Sequence, residues 1–155
     1  VQEAIDFFLA YYREHMLDNT VPYPGVEECL EKLAAGGVKM AVLTNKPVNP
    51  SRLIVQGLGL SEFFPAELVY GGNSFHTKKP DPYGALKLLQ ETGTRADEAV
   101  IIGDSSNDTL TGHNAGMWTV GLTYGFAPHT LENPLPDVLV DTPEELVQVL
   151  GISHK

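Results

Sequence analysis

Two aspartates that follow a short hydrophobic run are the first residues whose type and spacing suggest chemistry. The run, VII at residues 100–102, is β-branched and typical of a buried parallel strand, which Gly103 and Asp104 end. Asp108 follows Asp104 by four positions. Because open α/β sheets bind ligands at the carboxyl ends of their strands, two carboxylates there suit Mg²⁺, which prefers oxygen ligands. The alternative is that both aspartates only cap a helix, whose amino end favours acidic side chains.

A second candidate loop carries a hydroxyl and an amide at the end of another predicted strand. Thr44 and Asn45 follow the hydrophobic residues 40–43. Their side chains, together with backbone N–H groups at a strand end, can bind the oxygens of a phosphoryl group. An ordinary polar turn is the alternative interpretation.

The third candidate is a lysine in a proline-rich loop. Lys79 directly precedes Pro80, and Pro82 follows soon after. The two prolines restrict the backbone, so the ammonium of Lys79 can be aimed with little loss of entropy. An aimed lysine neutralises charge on a transferring phosphoryl group. The alternative is a solvated lysine before a helix, which is the interpretation we favour for the neighbouring Lys78.

Alternating strands and helices must position these three loops. Apolar residues at helical spacing alternate with short hydrophobic runs, and capping residues and glycines separate them. This alternation predicts parallel βαβ units in an α/β fold, with Trp118 in its core. The predicted strands cover residues 39–43, 67–70, 100–102, 118–122 and 137–140. The predicted helices cover residues 2–17, 26–35, 49–58, 82–92, 105–115 and 143–150, with Asn49 capping the third.

The first predicted helix has an aromatic apolar face. Its stripe consists of Ile5, Phe8, Leu9, Tyr12 and Met16. We expect ordinary core packing for this stripe. The alternative is packing on more than one side, because Phe7, Tyr11 and Leu17 widen the apolar surface. The breaker-rich residues 18–24 predict a boundary or hinge near residues 21–25.

Composition excludes several classes of partner. The 155 residues suffice for one domain, and 20 acidic against 10 basic side chains give a formal charge of −10. With no basic cluster, neither nucleic acid nor an anionic membrane is expected as the main partner. Cys29 is the single cysteine, and no apolar run has transmembrane length. We therefore predict a cytoplasmic protein from a reducing compartment. The sequence gives no prediction of the oligomeric state.

The three loops occur in an order that resembles a known family. The segments VLTNK at 42–46, KPDP at 79–82 and IIGDSSNDTLTGHNAGM at 101–117 are similar to the haloacid dehalogenase superfamily, in its phosphoglycolate phosphatase-like branch. GLTYGF at 121–126 matches as well. The resemblance implies a Rossmann-like parallel sheet with flanking helices over residues 22–155. It also implies that residues 1–21 are the last helix of a helical cap.

The resemblance implies a role for each candidate that contacts the substrate. Thr44 would bind the transferring phosphoryl group through its hydroxyl, with Asn45 assisting. Lys79 would balance the charges of the nucleophile and the phosphoryl group. A small phosphorylated metabolite is the implied ligand.

The resemblance also implies roles around the acidic loop. Asp104 would ligate Mg²⁺ directly, while Asp108 would support the waters of the metal or orient Lys79. Asn107 would fix the loop, and Gly103 would let the backbone approach the site.

One motif of the family is absent from this sequence. The family's first strand ends in Asp-x-Asp-Gly-Thr, which supplies the nucleophilic and the acid/base aspartates, and no segment before Thr44 matches it. We therefore expect the chain to be the C-terminal portion of a protein of roughly 200 residues or more, whose N-terminal segment is a partner of this one. In the family that strand lies between the strands that end at Thr44 and at Asp104. Either another polypeptide fills this slot or the two flanking strands close up.

The leading functional hypothesis is a Mg²⁺-dependent phosphatase. In the complete protein it would hydrolyse a small phosphomonoester, with phosphoglycolate as the first guess, through an aspartyl-phosphate. A sugar-phosphate phosphatase or phosphomutase is an alternative. Another is an inactive fragment or half-enzyme that binds phosphate or metal. A further alternative is a plain α/β core that has no functional site at these loops.

Overall fold

The computed structural model describes residues 2–152 except the side chain of Leu9. Val1 and residues 153–155, which the sequence analysis assigned to the cap helix and the core, lie outside the described residues. The helices are α1 (Gln2–His15), α2 (Val26–Ala35), α3 (Val48–Gly57), α4 (Tyr83–Thr92), α5 (Ser106–Ala115) and α6 (Pro143–Val149). The strands are β1 (Val42–Leu43), β2 (Val69–Tyr70), β3 (Val100–Gly103), β4 (Trp118–Leu122) and β5 (Val138–Val140).

The strands form two parallel sheets, as the alternation of elements predicts. β1 pairs with β2, with Val42 opposite Val69. β3, β4 and β5 pair in that order, with Ile102 opposite Val120 and Val120 opposite Val138. The predicted α/β class with parallel strands and flanking helices is confirmed.

Strands β1 and β3 each have a hydrogen-bonded neighbour on one side only among the described strands. They do not pair with each other, so of the two alternatives the closing up of these strands is not observed. Their side chains are only partly buried, whereas Val69 and Val120 are fully or almost fully buried in the neighbouring strands. Donors and acceptors along the unpaired edges therefore remain available to another strand.

Helix α5 begins and ends at predicted capping residues, whereas one helix start differs from the prediction. Ser105 and Asp108 form a capping box at the start of α5, and Gly116 ends that helix with φ 72°. The exception is α3, which begins at Val48 rather than at a cap on Asn49. Its amino end is capped from a distant loop, because the Val48 N–H donates to Asn73 Oδ1 at 2.9 Å.

The core lies between the larger sheet and helices α2 and α6. Its buried residues are Cys29, Leu33, Val120, Val140, Leu146 and Val147. The prediction that Trp118 belongs to this core is wrong, because its side chain is 60% exposed. Trp118 is the first residue of β4, so it lies at the amino end of that strand.

Helix α1 is not packed as expected. Ile5 and Phe8 of the predicted stripe are 46% and 64% exposed, so core packing is wrong for these two residues, and Phe7 and Tyr11, which widen the apolar surface, are also exposed. The two residues after α1 do contact the rest of the fold. Met16 is buried, and Leu17 packs closely against Gly57 at the end of α3. The assignment of residues 1–21 to a cap stays a prediction.

None of the helices between residues 2 and 152 combines the length and the apolar character that crossing a membrane requires.

Candidate active site

The carboxyl ends of β1 and β3 are linked through the Lys79 loop. The amide of Asn45, just after β1, makes two hydrogen bonds to the backbone of Lys79. Its Nδ2 donates to the Lys79 carbonyl at 3.0 Å, and its Oδ1 accepts from the Lys79 N–H at 3.0 Å. Because both groups of the amide are used, Asn45 fixes the position of a residue 34 positions away. This is a different task from the predicted contact with phosphate.

The side chain of Lys79 forms an ion pair with Asp108. The distance between Lys79 Nζ and Asp108 Oδ1 is 2.5 Å, and the two side chains are 13% and 11% exposed. From the far side of the loop, Asn114 Nδ2 donates to the Pro80 carbonyl at 3.1 Å. The ammonium is therefore aimed by contacts on both its backbone and its charged end.

The second oxygen of Asp108 is held by the loop that follows β3. Oδ2 accepts from the N–H groups of Asp104 and Ser105, at 3.1 and 3.2 Å, and from Ser105 Oγ at 2.9 Å. Both oxygens of Asp108 thus have protein donors. Of its two predicted roles, the geometry favours the orientation of Lys79 over the support of waters bound to a metal.

Gly103 makes room for this arrangement. A Cβ at this position would overlap the carboxyl group of Asp108. The glycine at the end of β3 therefore permits the close approach of the Asp108 side chain, whereas the resemblance implied that it lets the backbone approach the site.

Asp104 has one carboxylate oxygen bound and one open. Its Oδ2 accepts from the Phe126 N–H at 2.6 Å, while its Oδ1 has no donor among the residues that the structure describes. A Cβ at Gly125 would overlap the Asp104 side chain, so this glycine is required for the contact. The sequence analysis gave Gly125 and Phe126 no role, although both lie in the GLTYGF segment that it singled out.

The donors present fit a magnesium ion only in part. The open oxygen of Asp104 is a suitable ligand for a hard cation. Within residues 2–152, however, no three His, Cys, Asp or Glu side chains come together. Mg²⁺ commonly keeps several waters and binds one or two carboxylates plus substrate phosphate oxygens, so Asp104 could supply one such ligand.

Thr44 lies at the same edge. Its N–H donates to the Tyr70 carbonyl at 3.0 Å, and its Oγ1 accepts from the Lys46 N–H at 3.1 Å. A hydroxyl that accepts in this way keeps its own proton for donation to a ligand. Thr44, Asn45 and Lys79 line one small pocket, so the structure brings these three predicted residues together.

Asn107 is the predicted site residue that the structure does not support. Its side chain is exposed and hydrogen-bonds to none of the described residues. The loop is fixed instead by Asp108 and by Thr130, whose Oγ1 accepts from the Ser106 N–H at 2.9 Å. Thr130 is distant in sequence and carries no motif, so no sequence signal indicated it.

Three aromatic side chains pack against one another beside the pocket that contains Thr44 and Lys79, and Phe75 is part of its lining. Tyr70 lies 4.7 Å from Phe75, and Phe75 lies 5.1 Å from Tyr83, measured between ring centroids. The hydroxyl of Tyr70 donates to the carboxylate of Glu91 at 2.7 Å. This hydrogen bond, together with burial, raises the pKa of Tyr70 to about 12.

Comparisons with known proteins identify the family of this chain. The sequence profile of the haloacid dehalogenase-like hydrolases matches residues 1–122. A phosphoglycolate phosphatase of Pectobacterium atrosepticum is 36% identical over 154 residues, which are 99% of this chain and 65% of that protein. The chain thus spans slightly less than two thirds of this relative.

Solved structures share the fold. One described as a predicted phosphoglycolate phosphatase from Haemophilus somnus has a TM-score of 0.84 at 33% identity, covering 92% of this chain and 63% of that one. A HAD family hydrolase from Deinococcus radiodurans, with bound phosphate and sodium, has a TM-score of 0.71 at 25% identity, covering 83% and 58%. The chain belongs to the haloacid dehalogenase-like hydrolase family.

Proposed function

We propose that this chain forms the phosphoryl- and metal-binding part of a phosphatase that acts on a small phosphomonoester. The observation that carries the proposal is the Lys79 to Asp108 ion pair, which Asn45 fixes at the carboxyl ends of two parallel strands. The Pectobacterium relative, a phosphoglycolate phosphatase, supports phosphoglycolate as the first substrate to test. The phosphate bound in the Deinococcus structure supports phosphoryl binding in this fold. The single, unpaired cysteine supports a cytoplasmic location.

In this proposal three side chains act on the phosphoryl group. The Thr44 hydroxyl donates a hydrogen bond to one phosphoryl oxygen. The Lys79 ammonium offsets the negative charge that gathers as the ester is cleaved. Asp104 holds a Mg²⁺ ion, which when bound would supply further positive charge to the phosphoryl oxygens.

We further propose that an upstream segment of the same protein inserts as a strand between β1 and β3. The unpaired edges of β1 and β3 and the partial burial of their side chains support this. By its resemblance to the family, that segment carries the nucleophilic and acid/base aspartates. A carboxylate oxygen then bonds to phosphorus while the ester oxygen leaves with a proton from the acid, and water hydrolyses the acyl phosphate to release phosphate.

The test compares the 155-residue chain with a longer polypeptide that includes the upstream segment. We expect the longer protein to hydrolyse phosphoglycolate with Mg²⁺ and the 155-residue chain to bind phosphate without turnover. Lys79→Met in the longer protein should lower kcat by a factor of about 100 or more, because the charge on the phosphoryl group is no longer balanced. Equal turnover by both polypeptides would contradict the proposal that the nucleophile lies upstream.

A further inference from the structure

Lys46 is a cation that the proposed reaction does not use, although it lies beside the candidate site. Its backbone is fixed, because its N–H donates to Thr44 Oγ1 at 3.1 Å and its carbonyl accepts from the Gly72 N–H at 2.9 Å. Its side chain reaches helix α1, where Nζ donates to Tyr12 Oη at 2.6 Å. The side chain of Lys46 therefore extends from the loop after β1 to helix α1, where Tyr12 holds its ammonium.

The ammonium of Lys46 has an uncharged side-chain partner. Tyr12 is its side-chain partner, and no Asp or Glu among the described residues forms an ion pair with it. Lys79 differs in this respect, because its charge is offset by Asp108. In a chain with a formal charge of −10, an oriented cation without an acidic partner is an available anion site.

Tyr12 adds a second donor at the same place. Its hydroxyl oxygen accepts from Lys46, and its own proton donates to no acceptor in the part of the chain that the structure describes. A lysine N–H and a phenol O–H that converge in this way suit the two oxygens of a carboxylate. Among residues 2–152 the side chain of Lys78 likewise has no ion-pair partner, and it makes no hydrogen bond that would hold its ammonium in place.

We propose that Lys46 and Tyr12 bind the carboxylate of the substrate while Thr44 and Lys79 bind its phosphoryl group. This inference rests on the function proposed above and names its substrate class, the small phosphorylated acids. Lys46 and Thr44 belong to the same loop, because the Lys46 N–H donates to Thr44 Oγ1 at 3.1 Å, and the proposal requires a ligand whose two anionic ends reach both residues. Lys46 is then a specificity-determining residue, and Tyr12 both positions it and contacts the ligand.

The test compares two ligands that differ only at the end away from the phosphate. These are 2-phosphoglycolate and 2-hydroxyethyl phosphate, and their dissociation constants and KM values are measured with the full-length protein. We expect Lys46→Met to weaken binding of 2-phosphoglycolate by about tenfold or more, because a charge-assisted hydrogen bond is lost. Binding of 2-hydroxyethyl phosphate should be unchanged. Tyr12→Phe should show the same selectivity with a smaller effect, and Lys46→Arg should restore much of the binding.

Lys78→Met and Lys32→Met serve as controls with the same change of charge. Lys32 lies on α2 and pairs with Glu28. Neither variant should alter the ratio of the two affinities. The inference is overturned if Lys46→Met weakens both ligands equally, if Lys78→Met alone gives the selective loss, or if the wild type binds neither ligand.

The same measurements separate this inference from the proposed function. If neither ester is hydrolysed but Lys46→Met still weakens only the carboxylated ligand, the function is wrong and the carboxylate subsite stands. If both esters are hydrolysed and Lys46→Met has no selective effect, the function stands and the subsite is wrong.

Discussion

Asn45 decides where Lys79 lies, because one amide side chain binds both the N–H and the carbonyl of that residue. An aspartate could accept from the N–H but could not donate to the carbonyl. We therefore expect Asn45→Asp to lower the free energy of unfolding by about 0.5–1.5 kcal/mol and to weaken phosphate binding. Urea denaturation and calorimetry with inorganic phosphate measure the two effects. Asn107→Asp is the matched control, since that side chain makes no hydrogen bond to the described residues, and equal losses in both variants would contradict the role of Asn45.

Asp108 is the second residue on which the aim of Lys79 depends. Asp108→Asn removes the partner of an ammonium that is 13% exposed, which leaves an uncompensated charge in a mostly buried place. Breaking a buried ion pair from one side costs about 3–5 kcal/mol, so we expect a loss near the lower end of this range. Asp97→Asn is the control, because the Arg95 to Asp97 pair is exposed and should have no measurable effect on urea unfolding. If both variants unfolded at the same urea concentration, the buried pair would not have the assigned importance.

The sequence predicted the residues of the site better than the contacts between them. Thr44 and Asp104 were found because each follows a hydrophobic run at a strand end, and Lys79 was found because Pro80 and Pro82 restrict its loop. The bond between Asn45 and Lys79 spans 34 residues, and that between Asp104 and Phe126 spans 22. Such contacts depend on how the loops pack in three dimensions, so a pattern of residue types along the chain does not reveal them.

At the level of elements, strands β4 and β5 are joined by side chains as well as by their ladder. The N–H and Oγ1 of Thr119, a residue that is 1% exposed, both donate to Asp137 Oδ2, at 2.8 and 2.7 Å. In return the Asp137 N–H donates to Thr119 Oγ1 at 2.9 Å. These hydrogen bonds favour the charged carboxylate and lower the pKa of Asp137 below its ordinary value.

This shift predicts a pH dependence of stability. A carboxyl group whose folded pKa is lowered stabilises the fold above its unfolded pKa, about 4, and the contribution is lost as the pH falls through the folded pKa. The free energy of unfolding of the wild type should therefore exceed that of Asp137→Asn at pH 6, and the difference should shrink below about pH 4. Urea unfolding of both proteins from pH 6 to pH 3 measures this. A difference that stays constant over that range would show that the charge of Asp137 is irrelevant.

The sequence predicted the order of elements because apolar periodicity and capping residues are local signals. β3, β4 and the glycine ends of α4 and α5 agree with the prediction within a residue or two. The start of α3 does not, since Asn73 caps it from another loop. The exposure of α1 could not be predicted either, because an apolar stripe shows that a helix has a face to bury but not which surface covers it.

At the level of the whole molecule, each of the two sheets ends in a strand with a free edge among the described strands. Among the described strands, β1 and β3 each have one edge without a hydrogen-bonded neighbour. The loops at their carboxyl ends are nevertheless joined through Lys79. The site is thus assembled at the rim while the strands beneath it lack a common neighbour. An inserted strand would pair with both edges and bring its last residue to that rim.

Amide hydrogen exchange tests this insertion directly. In the 155-residue chain, we expect amides of β1 and β3 that point towards the unpaired edges to exchange quickly, because no backbone acceptor covers them. In the longer polypeptide the same amides should be protected, since the inserted strand supplies acceptors and its burial adds to the stability of both sheets. The amides of β5, which pairs with β4, are the internal control and should change much less. Equal protection of β3 in the two polypeptides would mean that its open edge does not receive a strand, and the nucleophile would then have to reach Lys79 and Thr44 from elsewhere.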